Sequence, residues 1–84
     1  VVVDDLEQAK VECGDLIWPA ERGVFRWSMA HTLADLVSGK IAGRRDNQAV
    51  TLFESQGVAI EDVAAALHVY KKAREQGLGQ ELPF

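Results

Sequence analysis

The run Val1-Val2-Val3, followed by Asp4 and Asp5, constrains this chain more than any other feature. Three β-branched residues in a row, with no polar alternation, describe a strand buried on both faces, the kind found inside parallel sheets. A second such run, Val50 to Phe53, comes late in the chain, with helical patterns before and after it. The reading is therefore α/β, in the order β-α-loop-α-β-α. Two strands of this kind do not make a stable sheet by themselves. A chain seldom opens in the middle of a buried strand, so a fragment is expected, the C-terminal part of a doubly wound domain.

Between these runs the local signals are mostly helical. Asp4 or Asp5 can cap a first helix, with Glu7 or Gln8 placed as in a capping box. Leu6, Ala9 and Cys13 fall near one face, and Gly14 reads as a C-terminal stop. Residues 15–27 read as a connection, broken by Pro19 and Gly23 but rich in large apolar groups that must pack against something. Ser28 can cap a second helix, whose stripe Met29, Leu33, Leu36 and Val37 ends at Gly39. Residues 40–48 form a polar turn region. The last helix runs from about Ala59 to Gln76, with Glu61 and Asp62 in its first turn and basic residues in its last. Its first half is apolar almost all round, which predicts a helix wedged between layers.

Composition excludes some classes. The chain has 84 residues, 48% of them hydrophobic, and a net charge of -4, which suits one small globular unit and not a nucleic-acid binder. Lys71, Lys72 and Arg74 are basic, but they sit where a helix end favours cations. Cys13 is the only cysteine, which fits a reducing, cytoplasmic compartment and gives no disulfide. No signal peptide is read, and no apolar run approaches the roughly 20 residues of a membrane helix.

Few residues offer chemistry. His31 and His68 lack companions at ligand spacing, apart from Asp35 near His31, whereas a metal site needs three or four ligands. Cys13 has no base nearby and reads as a small core residue. Gly43-Arg44-Arg45 could grip a phosphate or carboxylate, or could be a solvated turn. Asp4 and Asp5 could hold ribose hydroxyls only behind a Gly-rich loop that this chain lacks, and capping is the plainer reading. There remains Thr51-Leu52-Phe53-Glu54-Ser55-Gln56-Gly57, a strand ending on polar groups before a helix. At the carboxyl end of a parallel strand, ligands sit. A hydroxyl, an amide and a run of backbone N–H groups there suit a carboxamide or an anion, and a plain turn is the alternative.

These segments together resemble the ornithine cyclodeaminase/μ-crystallin family: V-V-V-D-D-x-E-Q-A, E-C-G-D-L, S-G-K-I-A-G-R, T-L-F-E-S-Q-G-V-A-I-E-D-V-A-A-A and G-L-G, in that order. The resemblance implies an NAD(P)-dependent, dimeric enzyme, with a Rossmann-type cofactor domain joined to a substrate and dimerisation domain. It places residues 1–57 at the end of the Rossmann-like domain and 58–84 in the helix and tail that return to the other domain. It implies that Ser55 contacts the NAD or NADP cofactor near the nicotinamide and that Gln56 lies against the substrate, a small amino acid or cyclic imine. Gln56 stands where the family usually has an apolar residue such as Val, and Glu54 where Lys is common. The family's Gly-rich loop and catalytic residues fall outside this stretch, so no catalytic residue is assigned. The expected function is ornithine cyclodeaminase-like, with amino-acid deamination and cyclisation or imine reduction by hydride transfer. The alternative is a non-catalytic, μ-crystallin-like NADP-binding or interaction protein. The expected partners are the rest of a parent chain and a second copy in a homodimer, with no nucleic acid and no membrane.

Overall fold

The computed structural model describes every residue from Val1 to Phe84. Its sheet has three short parallel strands, β1 (Val2–Val3), β2 (His31–Thr32) and β3 (Phe53–Glu54), side by side in the order β2-β1-β3. Val2 pairs with His31 and Phe53, and Val3 with Thr32 and Glu54. Because side chains alternate along a strand, the first row faces one side of the sheet and the second row the other. Val2 N–H donates to Leu52 O at 2.9 Å, and His31 N–H to Val1 O at 3.0 Å. Val2–Val3 of the triple-valine run is thus the central strand, but the expected burial on both faces is met only on the Val3 side; Val2 is half-buried and Val1 exposed.

Two helices cover the Val3 side. In α1 (Leu6–Glu12) the cap is Asp5, whose Oδ1 accepts from Gln8 N–H at 2.8 Å. Cys13 then leaves helical geometry at φ −81° and ψ 85°, and α2 (Gly14–Glu21) starts at once. Gly14 therefore opens a helix instead of stopping one, and the expected loop after it is helical for its first part. Pro19 obscures this in the sequence. Inside a helix it removes one hydrogen bond, and α2 ends two residues later, with Pro19 O accepting from Val24 and Phe25 N–H at 2.9 and 3.2 Å. Val3, Ala9, Cys13, Leu16, Phe25 and Ala30 make the core, with Leu6, Ala20 and Trp27 packed at its edge. Phe25 and Trp27 meet edge to face, ring centroids 5.5 Å apart. The expected apolar face of α1 is the buried one.

The second predicted helix is shorter than its stripe suggests. Trp27–Met29 is a single 3-10 turn, His31 and Thr32 extend as β2, and α3 (Leu33–Val37) begins only after that. Thr32, not Ser28, is the cap, its Oγ1 accepting from Asp35 N–H at 3.2 Å. The open edge of β1 offers hydrogen bonds that a helix start at Ser28 would forgo, and tertiary pairing outweighs the local spacing. A two-residue strand is also too short to show a period of two.

The last helix, α4 (Ala59–Glu75), matches its predicted span to within one residue. Its expected burial between layers is not met within these 84 residues. None of its side chains is buried, and Ile60 and Val63 are 73% and 67% exposed. The molecule is accordingly elongated, with a radius of gyration of 17.8 Å against about 12 Å for a compact chain of this size. Only six residues are buried, a core too small to offset the entropy of ordering the rest. No helix is long and apolar enough to cross a membrane.

Candidate functional site

The chain leaves β1 for β2 on one side and later returns to β3 on the other, so the carboxyl ends of β1 and β3 stand together. Asp4 follows β1; Ser55, Gln56 and Gly57 follow β3. Asp4 Oδ2 accepts from the Ser55 hydroxyl at 2.8 Å, from Gln56 N–H at 2.8 Å and from Gly57 N–H at 2.9 Å. Asp4 Oδ1 accepts from Asp5 N–H at 2.8 Å. From the other side, the Gln8 amide donates to Gly57 O at 3.1 Å. Gly57 has φ +84°, a conformation that favours glycine. The turn is held by its N–H groups and by its carbonyl, both through side chains distant in sequence.

Burial pushes the Asp4 carboxyl up, but the Ser55 hydroxyl and the N–H groups of Asp5, Gly57 and Gln56 prevail and hold it below the ordinary 3.8. It is a carboxylate at neutral pH. This corrects one part of the expected chemistry. Two N–H groups that precede α4, which suited an anion, are already taken by Asp4. A second anion would meet that charge, so the rim fits a neutral polar group. Of the roles weighed for the two aspartates, Asp5 takes the cap, while Asp4 does something else and ties the ends of two strands together. Sequence reasoning missed that tie because its partners lie 51 to 53 residues apart. The capping box is also incomplete, since the Gln8 side chain goes to Gly57 and Glu12.

Ser55 is exposed at this rim and Gln56 is half-buried beside it. The Gln56 Oε1 atom is shielded from solvent and is the only buried side-chain polar atom without a hydrogen-bond partner. Such an orphan acceptor costs about 1–3 kcal/mol.

The other candidates stand elsewhere. Arg44 closes its own loop, donating to Ala49 O and to Thr51 Oγ1, the latter at 2.9 Å, so it is not a free anion grip. Arg45 borders an open groove of about 350 Å³ between the strand starts, α3 and this loop, lined also by Val2, His31, Leu36, Ile41 and Phe53. Neither Ser55 nor Gln56 reaches it. His31 lies on β2 instead of a helix and His68 on α4, and no group of three His, Cys, Asp or Glu could hold a metal. Cys13 is a free thiol in the core. Lys71, Lys72 and Arg74 are exposed on the last turns of α4, with Arg74 paired to Glu81 at 3.2 Å.

Against this geometry, the family model described as "Ornithine cyclodeaminase/mu-crystallin family" matches residues 1–77. The chain belongs to that family. Over its whole length it is 39% identical to the Delta(1)-pyrroline-2-carboxylate reductase of Bacillus cereus and 38% identical to the alanine dehydrogenase of Archaeoglobus fulgidus, covering 26% of each. A solved family structure, the Thermococcus litoralis Delta(1)-pyrroline-2-carboxylate reductase in complex with NADH and L-proline, superposes with a TM-score of 0.80 at 43% identity. The match covers 96% of this chain and 25% of that one. The chain thus spans about a quarter of the length of these family members, and its three-stranded α/β unit matches part of an NADH-binding reductase. The resemblance read from T-L-F-E-S-Q-G and its companion segments is a true family relation.

Proposed function

We propose that these residues form part of an NAD(P)-dependent enzyme that moves a hydride between a nicotinamide and a small amino acid or its cyclic imine. The observation that carries this reading is the close match to a reductase whose structure holds NADH and L-proline. Imine reduction or amino-acid dehydrogenation is favoured over ornithine cyclisation, because relatives aligned along the whole chain include a reductase and a dehydrogenase, whereas the ornithine cyclodeaminase match covers 60% of it. In this reading residues 1–57 end a Rossmann-type, doubly wound NAD(P)-binding domain. Residues 58–84 return to the substrate and dimerisation domain of a homodimer, where the apolar sides of α4 would be covered.

The rim fits the nicotinamide end of such a cofactor. It lies at the carboxyl end of parallel strands, displays the Ser55 hydroxyl, and already carries the Asp4 carboxylate on its Gln56 and Gly57 N–H groups. The phosphates would be held by residues outside this stretch, which has no Gly-rich loop after a strand. When bound, the nicotinamide supplies or accepts the hydride; the protein supplies position. Ser55 holds the carboxamide, Gln56 stands against the substrate, and Asp4 and Gln8 keep the turn that carries both from moving.

The test is Ser55→Ala in the family-length protein. Dissociation of NADH, followed by its fluorescence, should weaken about tenfold, the worth of one hydrogen bond in a formed site. Unchanged affinity and turnover would remove Ser55 from the site.

A further inference from the structure

The geometry points to Asp4 as a positioning residue that makes Ser55 an obligate hydrogen-bond acceptor, so that the rim selects the amino group of a bound nicotinamide carboxamide over its carbonyl oxygen. This rests on the reading of Ser55 as the nicotinamide contact and adds a direction to it. A serine hydroxyl has one proton and two lone pairs. That proton is engaged at 2.8 Å by Asp4 Oδ2, an ionised oxygen that accepts more strongly than any neutral carbonyl. Gly57 N–H approaches Ser55 Oγ at 3.3 Å and takes one lone pair weakly. What the exposed oxygen still presents is a lone pair, which can only accept.

The hydroxyl cannot turn outward at low cost. Rotation would break the contact with Asp4 and set the freed lone pairs against a carboxylate. Nor can the turn shift to offer a different group. The Gln56 and Gly57 N–H groups are bound by Asp4, the Gly57 carbonyl is bound by Gln8, and Gly57 is in the left-handed region. A carboxamide presents an N–H₂ on one side and an oxygen on the other, so an acceptor fixes which way round it lies. Fixing the amide also fixes the tilt of the ring that bears it.

The experiment compares binding of three reduced dinucleotides to the family-length protein by calorimetry. These are NADH, the 3-acetylpyridine analogue, in which methyl replaces the amide nitrogen, and the thionicotinamide analogue, which keeps that nitrogen. The wild-type protein should bind the acetylpyridine form about tenfold more weakly than NADH and the thio form within about threefold. Asp4→Ala removes the acceptor that engages the Ser55 proton and frees the hydroxyl to donate, so the acetylpyridine penalty should shrink to about twofold. A merely structural role for Asp4 would weaken all three ligands alike. Equal binding of NADH and the acetylpyridine form by the wild type overturns the proposal without any variant having to fold. A penalty kept in Asp4→Ala but lost in Ser55→Ala also overturns it, while leaving Ser55 as the contact. A penalty kept in Ser55→Ala removes both readings.

Discussion

The turn at residues 55–57 and the loop at residues 43–51 are both polar and both adjoin β3, and by composition either one suits an anion. The loop satisfies itself. Arg44 bonds groups five and seven residues away, and Asp46 Oδ1 accepts from Gln48 and Ala49 N–H at 2.8 Å. The turn takes its partner from across the sheet, with Asp4 more than 50 residues away in sequence. A loop closed by its neighbours can form before the sheet exists and says little about the site. A turn closed from another strand forms only when the sheet does, and it leaves one hydroxyl displayed in a defined orientation. The difference separates a local clasp from a built rim.

The largest expected effect comes from isolating the segment. As residues 1–84 alone, with a six-residue core, the chain should show no cooperative thermal transition by calorimetry. A sharp transition from a monomer would mean that the clamp and core together suffice. Next, in the family-length protein, Asp4→Ala should cost about 2 kcal/mol by denaturant midpoint, since it strips a carboxylate from three turn donors. Arg44→Ala should cost less than about 1 kcal/mol, as an exposed local contact does. Equal losses would erase the distinction between the two turns.

Smaller again is Gln56→Val. It should shift the preference among amino-acid substrates severalfold in kcat/KM, by roughly 1 kcal/mol, while NADH affinity holds. A parallel loss for both ligands would place Gln56 in the turn's structure instead of against the substrate. The smallest effect is on pH. The folded-state value of Asp4 lies below 3.8, so its stabilisation is fully present above that value and is lost as pH falls through the lower folded one. The stability gap between wild type and Asp4→Asn should therefore narrow from pH 6 to pH 3. Asp35, held low first by its hydrogen bond to Lys40 at 3.1 Å, has the same sign. Its exposed pair should fade with added salt, whereas the Asp4 clamp should not.

Much of this architecture is legible in the chain. β1, the buried face of α1 and the span of α4 follow from patterns within a few residues, namely valine runs, caps and helical spacing; the later strand is read too early, at Val50 to Phe53, whereas β3 is Phe53–Glu54 and Val50 is 99% exposed. Two elements are not. β2 is two residues long and exists because β1 has an edge to pair with, so no period could reveal it. α2 hides behind Gly14 and Pro19, which read as breakers until Cys13 is seen to turn the chain and restart the helix. At the site, Ser55 and Gln56 stand out in the sequence as polar residues after a strand. The state of the Ser55 proton does not.

By itself, then, the sequence determined the kind of sheet, the bounds of the last helix, the family, and the stretch at which a ligand would be sought. Those depend on side-chain type and near-neighbour spacing, which a linear string preserves. Only the tertiary structure decided which aspartate caps and which clamps, that the Gln56 and Gly57 N–H groups are already engaged, and that the Ser55 hydroxyl gives its proton to Asp4. Each of those is a hydrogen bond between the ends of two strands, and its geometry exists only once β1 and β3 lie side by side.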